Sequence, residues 1–375
     1  MKFVLFYHSL YSDWNHGNAH FLRGIVKELI KRNHEVDVYE PENGWSLTNL
    51  IKDHGVDKFD EFRQYYPTLH PQFYNPEEQL NYKAMLGDAD VVIVHEWNSK
   101  ELIAEIGAEK DKYDYKLLFH DTHHRAVSNI KSMSQYNFDN YDAALVFGNV
   151  LKDIYERKQW FPQVFTWHEA ADTELFKPER NQDKEGDLVW IGNWGDDERT
   201  EELNEFLIEP VKELGIKAKV FGVRYPQKAL KALEDAGIEY GGWLPNYKVP
   251  EVFARYKVTV HVPRRPYVKM LPGIPTIRPF EAMACGIPLI SAPWQDNEHL
   301  FSPGADFLMV KSGNDMGYRI AEVLKSAQLA QSLSTNAHQT ILNKHTCAHR
   351  VDELEMILNQ IESPLVNKMR INHGK

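Results

Sequence analysis

Residues 2–40 read KFVLFYHSLYSDWNHGNAHFLRGIVKELIKRNHEVDVYE, and their patterning decides the fold. Phe3–Tyr7 is an unbroken apolar run. A polar loop with Gly17 follows, and Asn18 can cap a helix. Phe21, Leu22, Ile25, Val26, Leu29 and Ile30 then form one apolar stripe at helical spacing. A second short run follows at Val36–Tyr39. Strand, helix and strand in this order make one parallel βαβ unit.

The same alternation continues along the chain. Short runs recur at Val91–His95, Leu117–His120 and Ala143–Phe147. After a polar stretch they resume at Leu188–Gly192, Ala218–Gly222, Val258–Val262, Pro288–Ser291 and Phe307–Val310. Most are continuously apolar, as parallel strands covered on both faces must be. The class is therefore α/β. Asp172–Asp187 holds Pro178, Gly186 and nine charged residues, so it reads as the boundary. The expected domains are 1–170 and 171–345, each Rossmann-like, with a closing helix in 346–375 returning to the first. A second-domain helix is expected to start near Asp196 or Asp197 and to carry Leu203, Phe206, Leu207, Val211 and Leu214. The aromatic, turn-rich region Asn43–Pro76 reads as an insertion, and the last dozen residues as a fraying end.

The chain has 375 residues, with 43 Lys and Arg against 54 Asp and Glu, for a net charge of −11. That balance disfavours a nucleic-acid or membrane-surface partner. Two cysteines, Cys285 and Cys347, exclude a cysteine-built zinc site or disulfide framework and suit a reducing, cytoplasmic setting. No apolar run approaches the ~20 residues of a membrane span. The opening residues read as a first strand rather than a signal peptide.

In doubly wound sheets, ligands bind at the carboxyl ends of strands. Four segments lie there. The first is the loop His8–His20 with Gly17 before the helix. It has no GxGxxG and no P-loop signature. The second is Ile191–Arg199, where Gly192, Asn193 and Gly195 can bring backbone to a diphosphate and Arg199 can pair with it. Its acidic neighbours equally suit a helix cap. The third is Thr276–Ser291. Pro279 suits a helix start, Gly286 its end, and Glu281 can accept two hydrogen bonds from a ribose diol or merely complement the helix dipole. The fourth is the histidine set His95, His120, His123 and His124. Three convergent ligands for zinc are not evident, and a structural histidine is the stronger bland alternative. Asp88 and Asp90 precede their strand, at the wrong end for a site, and read as turn chemistry.

Together these segments resemble GT-B glycosyltransferases, nearest the CgeB-like, spore-protein-like branch related to the retaining group-1 enzymes. Gly17–His20 with Asn33–Val36 looks like the family's glycine loop and "GHEV" strand. His120-Asp121 looks like its first-domain His-Asp pair, and Ala171–Pro178 like its interdomain segment. Phe280–Gly286 with Pro288 is the strongest match, to "EAMACGxPVI". Ile191–Arg199 is similar to the CgeB-like branch. Two departures stand out. Gly273 occupies the position of the family's first Glu. The family's Lys after the phosphate-binding Arg has no clear match, though Lys269, Arg264, Arg265 or Arg278 could replace it.

The resemblance implies two Rossmann-like domains facing a central cleft. It implies transfer of a sugar from a nucleotide sugar to an unknown saccharide, protein or small-molecule acceptor, with retention and without a metal or other cofactor. The implied catalytic residues are His120, Asp121 and Arg199. The implied donor-binding residues are Gly17, Gly192, Asn193, Gly195, Arg278, Phe280, Glu281 and Ala282. The alternatives are a catalytically inactive binding or surface-layer protein, and a sugar-nucleotide epimerase or hydrolase on the same fold.

Overall fold

The computed structural model describes residues 1–179, 183–195 and 197–361. The chain divides into two compact units. Among the described residues, the first comprises Met1–Asp13, Leu22–His168 and those from Ala348 on; the second comprises those within Trp14–Phe21 and Glu169–Cys347.

The first unit is built on β1 (Lys2–Phe6), β2 (Glu35–Pro41), β3 (Gln72–Tyr74), β4 (Val91–His95), β5 (Lys116–Asp121), β6 (Ala143–Val146) and β7 (Val164–Thr166). Their order is β3-β2-β1-β4-β5-β6-β7, and every pairing is parallel. The direction of winding reverses between β1 and β4, so their carboxyl ends form this sheet's topological switch point. The four central strands are almost wholly buried, as unbroken apolar runs require.

Region 43–76 is more than an insertion. After helices Trp45–His54 and Lys58–Tyr65 it supplies β3, the edge strand beside β2. Asp90 accepts the Lys2 N–H at 2.6 Å, and Asp88 binds the Lys2 ammonium at 2.9 Å. Both aspartates thus fasten the amino end of β1. The helix Cys347–Gln360 carries Arg350, whose carbonyl accepts from Trp167 Nε1 at 2.8 Å and whose Nε donates to His168 O at 3.0 Å.

The second unit contains β8 (Leu188–Ile191), β9 (Ala218–Phe221), β10 (Ile238–Tyr240), β11 (Val258–His261), β12 (Leu289–Ser291) and β13 (Leu308–Met309). Their order is β10-β9-β8-β11-β12-β13, again all parallel, with the reversal between β8 and β11. Leu188, Trp190, Val220, Val258, Val260 and Ile290 meet Leu203, Phe206, Leu207 and Val211 in one core.

Those last four belong to a helix that begins at Thr200, later than the sequence suggests. It runs as an α-turn to Leu203, widens to a π-turn over Asn204–Ile208, and resumes α over Glu209–Leu214. Pro210 explains the widening: it has no N–H for the carbonyl four residues back, and its ring crowds that carbonyl. Asp196, the other proposed start, and the tail beyond residue 361 lie outside the described residues.

Candidate functional site

At the switch point of the second sheet, one side chain spans the reversal. Arg199 donates from Nη1 to Val262 O beyond β11 at 3.0 Å and from Nη2 to Asn193 O beyond β8. Its Nε donates to Trp194 O at 3.3 Å. The guanidinium also lies over the Trp190 ring, 5.0 Å from its centroid. Glycines make room for it. A Cβ at Gly192 would stand 2.8 Å from the Trp190 ring, and one at Gly195 would stand 3.2 Å from Arg199 Nε and 3.3 Å from Arg264 Nε. Gly195 also turns with φ +82°, which favours glycine. The two glycines therefore serve the arginines directly. Asn193 is a tie between loops: its Oδ1 accepts Val223 N–H at 2.9 Å, and its Nδ2 donates to Asn15 Oδ1 at 2.6 Å.

Arg199 carries its charge among neutral carbonyls. Burial lowers its pKa, and Arg264 and Arg278 lower it further. It stays a cation at neutral pH even so, because guanidinium is so strong a base. Arg264 pairs loosely with Glu198 at 3.4 Å, while no ion pair reaches Arg199 among the described residues. Like charges gathered at a strand end disfavour the empty fold and favour an anion.

The second feature is the helix Ile277–Ala284. Its start is sharp: Thr276 precedes it with φ +59°, a left-handed conformation that is unfavourable for a β-branched residue. A helix leaves its first amides free, here those of Ile277, Arg278 and Phe280, since Pro279 has none. Gly17 abuts this start, its Cβ position 3.6 Å from Ile277 Cγ2.

Glu281, one turn in, is 0 % exposed. Its Oε1 meets His20 Nδ1 at 2.9 Å and accepts from Asn246 Nδ2 at 2.7 Å, and its Oε2 accepts from Arg278. His20 Nε2 in turn accepts Asp172 N–H at 2.7 Å, and its ring stacks on Phe176 at 3.7 Å. Burial pushes the Glu281 carboxyl up, but Arg278, His20 and Asn246 outweigh it and hold it below the usual carboxylate range. Burial and the charge of Glu281 push the nearby Glu169 carboxyl well above that range. Phe280 and Ala282 are buried, with Phe280 against Phe301 and His345.

In the first unit the carboxyl ends of β1, β4 and β5 collect imidazoles. His8 stacks on His95 at 5.8 Å, His95 meets His120 edge-on at 5.3 Å, and His120 meets Trp167 at 4.9 Å. His120 is fully buried, which pushes its ring down to about 3 and keeps it neutral. Asp121 is buried as well. Its Oδ1 accepts the His123 N–H at 2.8 Å and its Oδ2 accepts from Tyr155 Oη. Burial pushes Asp121 up to about 6. His123 is the half-buried member, packed against Trp97 at 5.0 Å and His124 at 4.0 Å. Among the described residues no group of three or more His, Cys, Asp or Glu could hold a metal ion.

The second unit thus brings together Gly17, Gly192, Asn193, Gly195, Arg199, Arg278 and Glu281, with Phe280 and Ala282 in its core. His120 and Asp121 stand in the first. Sequence reasoning passed over the partners of Glu281. His20 was visible inside the Gly17–His20 motif, but Asn246 lay in a short 3₁₀ turn with no motif around it.

Residues 199–356 match a protein family described as glycosyl transferase-like. No curated protein matches the chain in sequence. Similar solved structures include a sucrose-phosphate synthase from Thermosynechococcus elongatus. It is 14% identical with a TM-score of 0.65, over 96% of this chain and 98% of that one. Another is HepE from Anabaena in complex with UDP and glucose, 11% identical with a TM-score of 0.63, over 96% of this chain and 100% of that one. A third is T4 phage BGT in complex with UDP and Mn2+, 16% identical with a TM-score of 0.62, over 96% of this chain and 100% of that one. Among the described residues no helix is long and apolar enough to cross a membrane. The fold is α/β GT-B, with two Rossmann-like units, and residues 199–356 carry a glycosyl transferase-like domain.

Proposed function

We propose that this protein transfers a glycosyl group from a nucleotide sugar to an acceptor. The carrying observation is the cation cluster of the second unit: Arg199 across the switch point, with Arg264 and Arg278 close enough to lower its basicity. A diphosphate matches that cluster in charge, and the free amides before Glu281 add donors that need no reorganisation. UDP and glucose in the Anabaena relative support a uridine diphosphate sugar as donor.

In this reading Gly192–Gly195 and the start at Ile277–Phe280 hold the diphosphate. Arg199 and Arg264 neutralise it as it departs. Glu281, fixed by His20 and Asn246, holds the helix start, and its Oε2 is freed for the ribose when Arg278 turns from it to the diphosphate. The carboxyl end of the first sheet, with His120, Asp121 and His123, serves the acceptor side. We propose retention of configuration from the resemblance to the group-1 family, and a metal-independent reaction because guanidinium groups already supply the positive charge. T4 phage BGT was solved with Mn2+, so the metal needs its own test. A cytoplasmic setting and the CgeB-like branch belong to the same proposal.

The opposed shifts of Glu169 and Glu281 favour a second reading, a nucleotide-sugar hydrolase or epimerase, because such carboxylate pairs divide acid and base roles. One experiment separates the readings. Thermal shifts with UDP, GDP, ADP and dTDP and their sugars identify the donor, since a ligand at 100 times its dissociation constant stabilises by about 2.7 kcal/mol. Product analysis follows, with donor alone and with EDTA or Mn2+. Donor consumed without acceptor favours the second reading, and no shift with any nucleotide overturns both.

A further inference from the structure

Two buried polar atoms at the end of the second sheet have no hydrogen-bond partner among the described residues: His261 Nε2 and Trp294 Nε1. His261 is the last residue of β11, and Trp294 follows the adjacent β12 by three residues. They are 4 % and 7 % exposed, and their rings meet edge-on at 6.4 Å.

The hydrogen-bond network fixes what each atom can do. Ser291 Oγ–H donates to Ala292 O at 2.8 Å. With its proton committed, the same oxygen accepts from His261 Nδ1–H at 2.9 Å. A neutral imidazole protonated at Nδ1 carries its lone pair on Nε2. The ring stays neutral because burial, then Arg199 and Arg278, push it down to about 3. His261 Nε2 is therefore an acceptor throughout the neutral range, while an indole Nε1 only donates.

An acceptor beside a donor is the complement of a hydroxyl, which gives its proton to one and accepts from the other. Leaving both atoms unmatched costs stability that apolar side chains of similar shape would avoid. Such an expense at strand carboxyl ends, beside the arginine cluster, is the pattern of a site kept for a ligand. We propose that His261 and Trp294 form a hydroxyl-reading pair that binds the glycosyl group of the nucleotide sugar, an inference that rests on the donor reading above. The pair would sort donors by the position and orientation of one hydroxyl.

The test uses His261→Leu and Trp294→Phe in the full chain; the first removes the polar atom with little change of shape, and the second removes it together with part of a buried ring. Melting temperature is measured, with calorimetric affinities for UDP and for whichever of UDP-glucose, GDP-mannose, ADP-glucose and dTDP-glucose binds the wild type, against its own nucleoside diphosphate. The expected result is an unchanged or higher melting temperature in His261→Leu and a modest drop from the lost ring volume in Trp294→Phe, with diphosphate affinity within about twofold and sugar-nucleotide affinity reduced about tenfold in each variant. Equal loss for diphosphate and sugar nucleotide would assign the pair to the nucleotide and overturn the proposal. A lower melting temperature with unchanged affinities would make it a core pair and overturn it too. A wild type that binds none of the four overturns the donor reading itself, a distinct result.

Discussion

His20 Nδ1 lies 2.9 Å from Glu281 Oε1, with neither side chain exposed. The two residues are 261 positions apart, yet both belong to the second unit. His20 Nε2 is occupied as an acceptor of the Asp172 N–H, so His20 meets Glu281 as an Nδ1–H donor, and removing the carboxylate strands that buried donor at a cost of about 1–3 kcal/mol. Glu281→Ala is therefore expected to destabilise the protein within that range, since Arg278 is partly exposed and can turn to water. Urea unfolding at neutral pH reads this directly. A loss under about 1 kcal/mol would reduce Glu281 to a dipole-complementing carboxylate. The pH sign follows from the depressed value. The ionised carboxylate contributes fully above the ordinary range near 4.5, and its contribution fades as pH falls through the lower folded value.

That pair also marks the boundary of what sequence patterning reveals. The long central strands were legible because burial on both faces demands unbroken apolar runs. β3, β7 and β10 were not, because each is a short edge strand that mixes polar with apolar residues and stays partly exposed, so no unbroken apolar run marks it. The same holds at the site. Arg199, Arg278 and Glu281 sit in local motifs, whereas Asn246 and the His261–Trp294 pair acquire meaning only when distant strands meet. The helix start at Thr200 was misread because acidic residues before it imitate a cap.

The first unit offers a contrast between two histidines. His120 is packed between His95 and Trp167, whereas His123 is half-buried beside Trp97. His120→Ala is expected to lower the melting temperature through the cavity it leaves, by analogy with aromatic truncations that cost about 3–5 kcal/mol. His123→Ala should leave the melting temperature within error and lower turnover, because its imidazole can meet an acceptor. Melting curves and initial rates on both variants decide. Wild-type stability in His120→Ala with lost turnover would restore His120 as the reacting-group contact.

Arg264 and Arg199 should also separate. Arg264 is 29 % exposed and held by one loose pair with Glu198. Exposed pairs of this kind contribute about 0–1 kcal/mol to stability. Arg264→Ala is therefore expected to leave folding unchanged and to weaken nucleoside diphosphate binding about tenfold, since a hydrogen bond to a charged group is worth about 1.5–3 kcal/mol. Arg199→Lys should lose both, because an ammonium cannot span Asn193 O and Val262 O as the planar fork does. Calorimetry at two salt concentrations checks the assignment. Unchanged affinity and unchanged salt dependence in Arg264→Ala would remove Arg264 from the diphosphate site.

Glu40, on β2 of the first unit, gives a prediction independent of any ligand. It is fully buried, and its Oε1 accepts the N–H groups of Leu10 and, at 3.3 Å, Tyr11. Burial raises its carboxyl to about 7, against those hydrogen bonds and Arg23. The unfolded chain releases this proton near 4.5, so between these values the folded state binds more protons than the unfolded one. Stability from this group is therefore complete below about 4.5 and is lost as pH rises through about 7. Integrated over the interval, the loss is on the order of 3 kcal/mol. Glu40→Gln keeps the carbonyl that receives Leu10 and Tyr11 but cannot ionise. Its unfolding free energy is expected to match the wild type near pH 4.5 and to exceed it at pH 8, with the gap opening between. Urea melts of both proteins across that range measure it. Parallel curves would mean that Glu40 is ionised throughout, with Arg23 rather than a proton balancing its charge.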